Sequence, residues 1–211
     1  MKTLLKILLI LFITLILFIG GLYLFLHIAF DGIFTGPTYH KEDLIENYEL
    51  RKNSILDVKA FINSSIKPNT YVDIEFENGN LAIFHVRSNG NYDTNWDLKI
   101  NSKKTDSILS VIGWKKNDLE ILEKKLSNAN CISIASGNPT TVGWQRSGMG
   151  KYYYNIYEEN LSDSLINILK NNCSHIFYKE NIVLEYGGGA IGSDCFPGYV
   201  REKAAAKNGY K

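Results

Sequence analysis

The strongest constraint on this chain is an apolar run near its N-terminus. The twenty residues from Ile7 to Leu26 contain no charged side chain. At about 1.5 Å of rise per residue, a helix over this run is roughly 30 Å long, the thickness of a bilayer's hydrocarbon core. A cleaved signal peptide has a shorter apolar region that ends at a small-residue site, and His27–Asp31 offers no such site. The sequence therefore predicts an uncleaved transmembrane helix over residues 7–28.

The charges on either side of the run predict its orientation. Lys2 and Lys6 precede it, whereas the residues that follow show no excess of basic side chains. Because basic residues stay on the cytoplasmic side of a span, residues 1–6 are expected in the cytoplasm. Lysine, asparagine and isoleucine are abundant, as in proteins of AT-rich bacterial genomes, so we expect the bacterial inner membrane. The remaining chain is predicted to form a linker (29–40), one extracytoplasmic domain (41–200) and a frayed tail (201–211).

Beyond the span the chain is nearly neutral, with one more acidic than basic side chain once Lys2 and Lys6 are set aside. No cluster of lysine or arginine interleaved with aromatics occurs, which argues against nucleic acid as a partner. Aromatic residues make up 12% of the sequence. This part of the chain is therefore expected to fold around a hydrophobic core.

Hydrophobic periodicity and turn residues predict an α+β domain. The predicted order is one helix, three strands, two helices, three strands, one helix and two strands, with a polar loop containing Trp96 before the third strand. Because the connections are short, we expect a mainly antiparallel sheet with helices covering one face. The predicted helices are residues 41–65, 103–112, from 117 onward and 163–170; the predicted strands are residues 71–77, 81–87, 97–100, 131–136, 142–147, 151–157, 174–179 and 182–186.

The clearest strand pair is a hairpin around Asn78-Gly79-Asn80. A three-residue loop would place Asp73 opposite His85, whereas a two-residue Asn-Gly turn would place Val72 opposite His85. We favour the longer loop because it pairs the imidazole with a carboxylate. Asp73 and His85 could form a general base and its orienting residue, but a solvent-facing cross-strand pair is the simpler interpretation.

Motifs for catalysis, metal binding or cofactor binding are weak. Gly187–Gly192 fits the G-x-G-x-x-G pattern, but the chain after it does not predict the helix and strand that nucleotide binding requires. We therefore interpret these glycines as turn residues. The four histidines and three cysteines show no zinc-ligand spacing, and no G-x-S-x-G motif occurs. No catalytic residue, metal ion or cofactor is predicted.

Recognition through an aromatic surface is the favoured hypothesis. Trp144, Arg146, Tyr153 and Tyr157 fall on two neighbouring predicted strands. Since strand side chains alternate, Tyr153 and Tyr157 are expected opposite to their even-numbered neighbours. One face would lie under the helices, and the other would be free for a protein or an envelope polysaccharide. The competing interpretation is that the tyrosines fill both faces of the sheet.

The three cysteines predict one disulfide in an oxidising compartment. Cys131 begins a predicted strand, where packing alone explains a small apolar side chain. Cys173 and Cys195 lie in loops at the two ends of the last hairpin, and the nearby glycines would allow them to meet. We favour this bridge, which would stabilise the domain by about 3 kcal/mol. Bridges 131–173 and 131–195 are the open alternatives.

Two segments, Gln145–Gly150 and Leu184–Gly192, resemble those of small membrane-anchored bacterial proteins. That resemblance covers the C-terminal half and implies no activity. The favoured function is a membrane-tethered extracytoplasmic binding or accessory protein without catalytic activity. The alternative is a cell-envelope hydrolase or transferase whose site is assembled from distant residues. A third hypothesis is a structural component held mainly by its span.

Overall fold

The computed structural model describes residues 2–29, 37–189, 192 and 194–199. The N-terminal run forms one continuous helix, α1 (Lys2–Ala29). Within it, Lys6–Leu26 has a mean hydropathy of 2.9 and is long and apolar enough to span a membrane. No other described residues cover this stretch. The predicted tail and most of the predicted linker lie outside the described residues.

Beyond α1, the described residues form helices and one eight-stranded antiparallel sheet, which confirms the α+β prediction. The order of elements along the chain is the predicted one. Across the sheet the strands lie in the order β3-β2-β1-β4-β5-β6-β8-β7. The helices are α2 (Lys41–Ser65), α3 (Lys103–Ile112), α4 (Lys116–Asn128) and α5 (Asp163–Leu169); the strands are β1 (Thr70–Glu77), β2 (Asn80–Ser88), β3 (Asn91–Leu98), β4 (Ser133–Ala135), β5 (Thr140–Ser147), β6 (Gly150–Ile156), β7 (His175–Lys179) and β8 (Ile182–Gly187).

Helices α2, α3 and α4 cover one face of the sheet. The long helix α2 contacts both α4 and β5. Its buried apolar residues recur every three, four or seven positions, which keeps them on one side of the helix. Together with the inner sides of α3 and α4 and alternate strand residues, they form one hydrophobic core. This buried stripe consists of Leu44, Tyr48, Ile55, Val58 and Ile62. We call the opposite face of the sheet the open face.

One corner of the open face is covered by α5. Val183 of β8 pairs with Asn155 and Phe177, so its side chain points to the open face. It is nevertheless fully buried, and Leu169 of α5 is buried outside the main core. Since α5 contacts β7, this helix covers the β7–β8 corner. On the open face, no described helix covers the other six strands, which are β3, β2, β1, β4, β5 and β6 in sheet order.

The first hairpin joins a tight turn to a bulge. Its loop has only two residues, Asn78 and Gly79, with φ of 50° and 73°, as in a type I′ turn. A register shift at Glu75/Phe76 then restores the pairing of Asp73 with His85. The predicted pairing is therefore confirmed, whereas the three-residue loop was wrong. The bulge compensates for the shorter turn.

Residues 91–98 form a complete edge strand, which corrects the predicted polar loop. This segment, Asn91–Leu98, pairs with β2 along its length. Its asparagines and aspartates disfavour strands, but an adjacent strand that supplies a full ladder outweighs this local preference. Trp96 consequently lies on a strand rather than in a loop.

The predicted disulfide between Cys173 and Cys195 is present, with Cα atoms 4.7 Å apart. Cys131 is buried and free. The amide of Phe196 donates to the carbonyl of Cys173 at 2.9 Å, and the buried Phe196 ring packs 6.0 Å from that of Tyr152. The bridge therefore joins this C-terminal segment to the core.

Candidate functional site

Strand β6 shows how the two faces differ. Tyr152, Tyr154 and Ile156 are fully buried under the helices. The alternate residues Lys151 and Tyr153 lie on the open face, where the ammonium of Lys151 sits 4.8 Å from the centre of the Tyr153 ring. The predicted separation of alternate tyrosines onto opposite faces is confirmed for these residues.

Trp144 does not belong to the open face, which corrects its place in the predicted surface. Its side chain is only 6% exposed and packs against Tyr39, with ring centroids 4.8 Å apart, and against Tyr152. Both neighbours lie on the helix-covered side. A bulge between Gly143 and Arg146 breaks the alternation of β5, so that Trp144 and Arg146 point to opposite faces.

The other predicted surface residues are separated along the sheet. Arg146 and Tyr153 reach the open face and are partly exposed. Tyr157 follows the end of β6 and is also partly exposed; its carbonyl accepts hydrogen bonds from Lys59 and Asn181. The four residues therefore do not form one aromatic patch.

At the centre of the open face, four polar side chains form what we call the charged cluster: Glu75, Arg146, Lys151 and Ser133. Nε of Arg146 lies 2.5 Å from Oε1 of Glu75, and Nζ of Lys151 lies 2.7 Å from Oε2. Lys151 also donates to Oγ of Ser133 at 3.0 Å. The carboxyl group of Glu75 is only 1% exposed. The cluster thus connects β1, β4, β5 and β6.

The two cations of the charged cluster lower the pKa of Glu75. Burial by itself raises the pKa of Glu75, but the charge of Lys151 and the hydrogen bonds from Arg146 and Lys151 outweigh it, so the pKa is lowered overall. Gly143 makes room for this arrangement, since a Cβ there would lie 2.0 Å from Oγ of Ser133. A side chain at this position would displace the serine that Lys151 binds.

This cluster lacks the properties of a catalytic serine–lysine pair. Such a pair needs a lysine free to take the serine proton and a serine that substrate can reach. Nζ of Lys151 already donates to Glu75 as well as to Ser133, and Ser133 is buried. The geometry supports an ion-paired structural core on this face of the sheet.

A second polar group lies toward β7. Nε2 of His175 is 3.4 Å from the Glu185 carboxylate, which also accepts a hydrogen bond from Asn155. The hydrogen bond between His175 and Glu185 raises the pKa of the His175 imidazole. For Glu185, burial raises the pKa, but the hydrogen bonds from His175 and Asn155 lower it further than burial raises it. These two side chains also pair with each other.

The β2–β3 end of the open face carries aromatic rings instead. His85 lies opposite Asp73, with Nδ1 and Oδ2 3.8 Å apart. The His85 ring stands nearly perpendicular to that of Trp96, with centroids 4.9 Å apart, and lies 6.4 Å from that of Tyr92. We call Tyr92, His85 and Trp96 the aromatic row. Tyr92 and Trp96 are each 60% exposed.

The sequence interpretation missed Tyr92 and Trp96 as candidate site residues. A usable signal was present, because Tyr92, Thr94 and Trp96 alternate with polar residues at the same period of two that identified β1. The many asparagine and aspartate residues obscured it.

Among the described residues, no group of three or more histidine, cysteine, aspartate or glutamate side chains is placed to hold a metal ion. Gly189 has a φ of 70°, and a Cβ there would lie 2.6 Å from the carbonyl oxygen of Met149. This part of the glycine-rich segment therefore serves a close backbone approach; positions 190 and 191 lie outside the described residues.

The chain matches no family model, no curated protein and no solved structure. The functional inference therefore rests on the geometry of the sheet and its open face.

Proposed function

We propose that this protein is a membrane-tethered binding protein whose domain recognises an envelope partner with the open face of its sheet. The observation that carries the proposal is the aromatic row, because Tyr92 and Trp96 expose most of their rings, whereas the other aromatic side chains of the sheet are buried or half-buried. Large exposed aromatic side chains on a folded domain are typical of interaction surfaces.

The polar groups of the open face support binding rather than catalysis. Glu75 is held by Arg146 and Lys151, and His175 is held by Glu185. A carboxylate held between two cations, as Glu75 is, is a poor proton acceptor, and both sets of contacts keep the sheet surface rigid. A rigid surface loses less conformational entropy when a partner binds.

The membrane arrangement is part of the proposal. Helix α1 would anchor the chain with Lys2 and Lys6 in the cytoplasm and the domain outside the bacterial inner membrane. A reporter fused after Lys211 should then be active only outside the cytoplasm, and the mature protein should retain residues 1–26. A cleaved N-terminus or a protease-protected domain in spheroplasts would contradict this arrangement.

Photo-crosslinking in cells tests the binding face. The photoreactive residue p-benzoylphenylalanine replaces Tyr92 in one variant and Leu50 in a control variant, since Leu50 is 74% exposed on α2, which covers the other face of the sheet. We expect a discrete adduct from position 92 and none from position 50. Equal labelling at the two positions, or none at 92, would argue against the open face as the binding surface.

A further inference from the structure

The aromatic row has the dimensions of an extended site. Tyr92, Thr94 and Trp96 share one face of β3, so the outer two stand about 13 Å apart at the usual rise of a strand. His85, opposite Thr94, lies between them and contacts both rings. A partner that covers both exposed rings must therefore be longer than a single sugar or side chain.

The rings are held in place by their neighbours. Trp96 is buttressed by the perpendicular His85 ring, and His85 is in turn next to Asp73. Tryptophan and tyrosine have few rotatable bonds, so they offer large apolar surfaces at low entropic cost. Their exposed faces suit flat molecules that present C–H groups on one side and polar groups at the edge.

The charges around the row do not favour a charged partner. Arg87 pairs across the strands with Tyr92, and Asp73 lies beside His85, so one exposed cation is balanced by one partly exposed carboxylate. Asp93 on the same strand pairs with the buried Val86 and so points to the helix-covered face, where Lys104 binds it at 2.8 Å. The surface therefore complements an uncharged molecule that can both donate and accept hydrogen bonds.

The edge of β3 is poorly suited to add a strand from a protein partner. Asp97 has a φ of 54°, outside the range of a regular strand, and interrupts the edge near its end. Charged side chains on an edge strand, here Asp93 and Asp97, also oppose pairing with another strand. The exposed rings on the face of β3, rather than its backbone edge, are then the available contact.

We propose that the aromatic row binds an uncharged oligosaccharide, an inference that rests on the proposed function and specifies its partner. The C–H faces of two sugar rings would stack on Trp96 and Tyr92. Sugar hydroxyl groups would donate to the carboxylate of Asp73 and accept from the guanidinium of Arg87. No bond is made or broken in this site; the chain holds the polysaccharide next to the membrane.

Titration of the full-length protein with soluble oligosaccharides tests this. The protein is kept in lipid nanodiscs, because the head groups of maltoside detergents would compete. Chitohexaose and cellohexaose are the probes, and their monosaccharides serve as length controls, with binding measured by calorimetry. We expect saturable binding of at least one hexasaccharide and at least tenfold weaker binding of its monosaccharide.

Two variants assign that binding to the aromatic row. Trp96→Ala should weaken hexasaccharide binding at least tenfold and Tyr92→Ala by a smaller factor, whereas Leu50→Ala should leave it unchanged. Trp96→Phe, which keeps a ring, should retain part of the affinity. Circular dichroism of each variant confirms that the fold is retained.

The outcomes separate this inference from the proposed function. If neither hexasaccharide binds, or if Trp96→Ala binds as tightly as wild type, the oligosaccharide inference is wrong. If crosslinking from position 92 then gives a protein adduct, the open face is still a binding surface, but for a protein. If position 92 also gives no adduct, both proposals fail.

Discussion

The two faces of the sheet use the same strands in opposite ways. On the helix-covered face, β6 contributes Tyr152 and Tyr154, whose rings are buried and whose hydroxyl groups donate to the carbonyls of Tyr39 and Leu44 at 2.8 and 2.9 Å. On the open face, the same strand contributes Lys151, which pairs sideways with Glu75. One face is joined to helices α2, α3 and α4; on the other face, outside the corner that α5 covers, charged side chains pair with each other.

The comparison shows that the residues that stabilise the sheet and its exposed aromatic rings lie on different faces. Tyrosines that bond to the backbone at the start of α2 fix that helix on the covered face, and burial there supplies most of the hydrophobic stabilisation. The charged side chains of the open face pair with each other, so they do not need a layer of helices to cover them. The exposed rings at the β2–β3 end can then serve a partner without being required for folding.

A large loss of stability is expected at one of two adjacent tyrosines and a smaller loss at the other. Tyr154→Ala removes a fully buried ring and its bond to Leu44, so we expect a loss of about 4 kcal/mol in the free energy of unfolding. Tyr153→Ala removes a half-buried ring and its contact with Lys151, at about 1–2 kcal/mol. Urea unfolding of both variants, followed by circular dichroism, checks this. Equal losses would contradict the distinction between the faces.

A smaller effect is expected at the charged cluster. Glu75→Gln leaves the buried Lys151 without its counter-charge and should cost about 3 kcal/mol. Adding Lys151→Met to this variant removes the stranded charge and should restore much of the loss, while Arg146 can turn towards solvent. The same urea experiment measures both variants. A double variant that is less stable than Glu75→Gln alone would show that the charges stabilise the sheet individually.

The pH dependence of stability gives a second test of the role of Glu75. Glu75 and Glu185 have lowered pKa values in the fold, so each stabilises it above the unfolded pKa of about 4.3, and this contribution is lost as the pH falls through the folded pKa. Asp73 has the opposite effect on stability: burial raises its pKa, so its protonation favours the folded state as the pH falls. The stability difference between wild type and Glu75→Gln should therefore be largest above about pH 5 and shrink towards low pH. A difference that stays constant with pH would contradict the role assigned to Glu75.

The smallest effect on stability is expected at the aromatic row. Trp96→Ala removes a side chain that is mostly exposed, so the free energy of unfolding should change by about 0.5 kcal/mol or less. Trp144→Ala, its buried counterpart on the covered face, should cost about 4 kcal/mol. Thermal unfolding of the Trp96→Ala and Trp144→Ala variants measures the two losses of stability. A large loss at Trp96 would mean that this ring belongs to the folding core.

Much of the architecture could be predicted because its signals are local. The alternation from Val72 to Glu77 fixed the inward side of β1, and Ser162 marked the start of α5, where its hydroxyl accepts from the amide of Leu165. The pairing of Cys173 with Cys195 followed from their places at the ends of one hairpin. Each of these features depends on residues close together in the chain.

The composition of the candidate site could not be predicted in the same way. The bulge in β5 turned Arg146 to the face opposite to Trp144, and the ladder offered by β2 made a strand of residues that favour loops. Glu75 meets Lys151 across strands that are far apart in the sequence. The alternation of Tyr92, Thr94 and Trp96 was a local signal for β3, but neither the bulge in β5 nor the pairing of Glu75 with Lys151 has one.

The sequence alone determined a membrane-length helix, the α+β class and the order of elements, and it favoured the Cys173–Cys195 bridge over two alternatives, because periodicity, turn residues and charge act over short distances along the chain. Only the tertiary structure decided which aromatic residues are exposed and which charges are paired. A single-residue bulge reverses the facing of every residue that follows it in a strand, and its position depends on how neighbouring strands fit together.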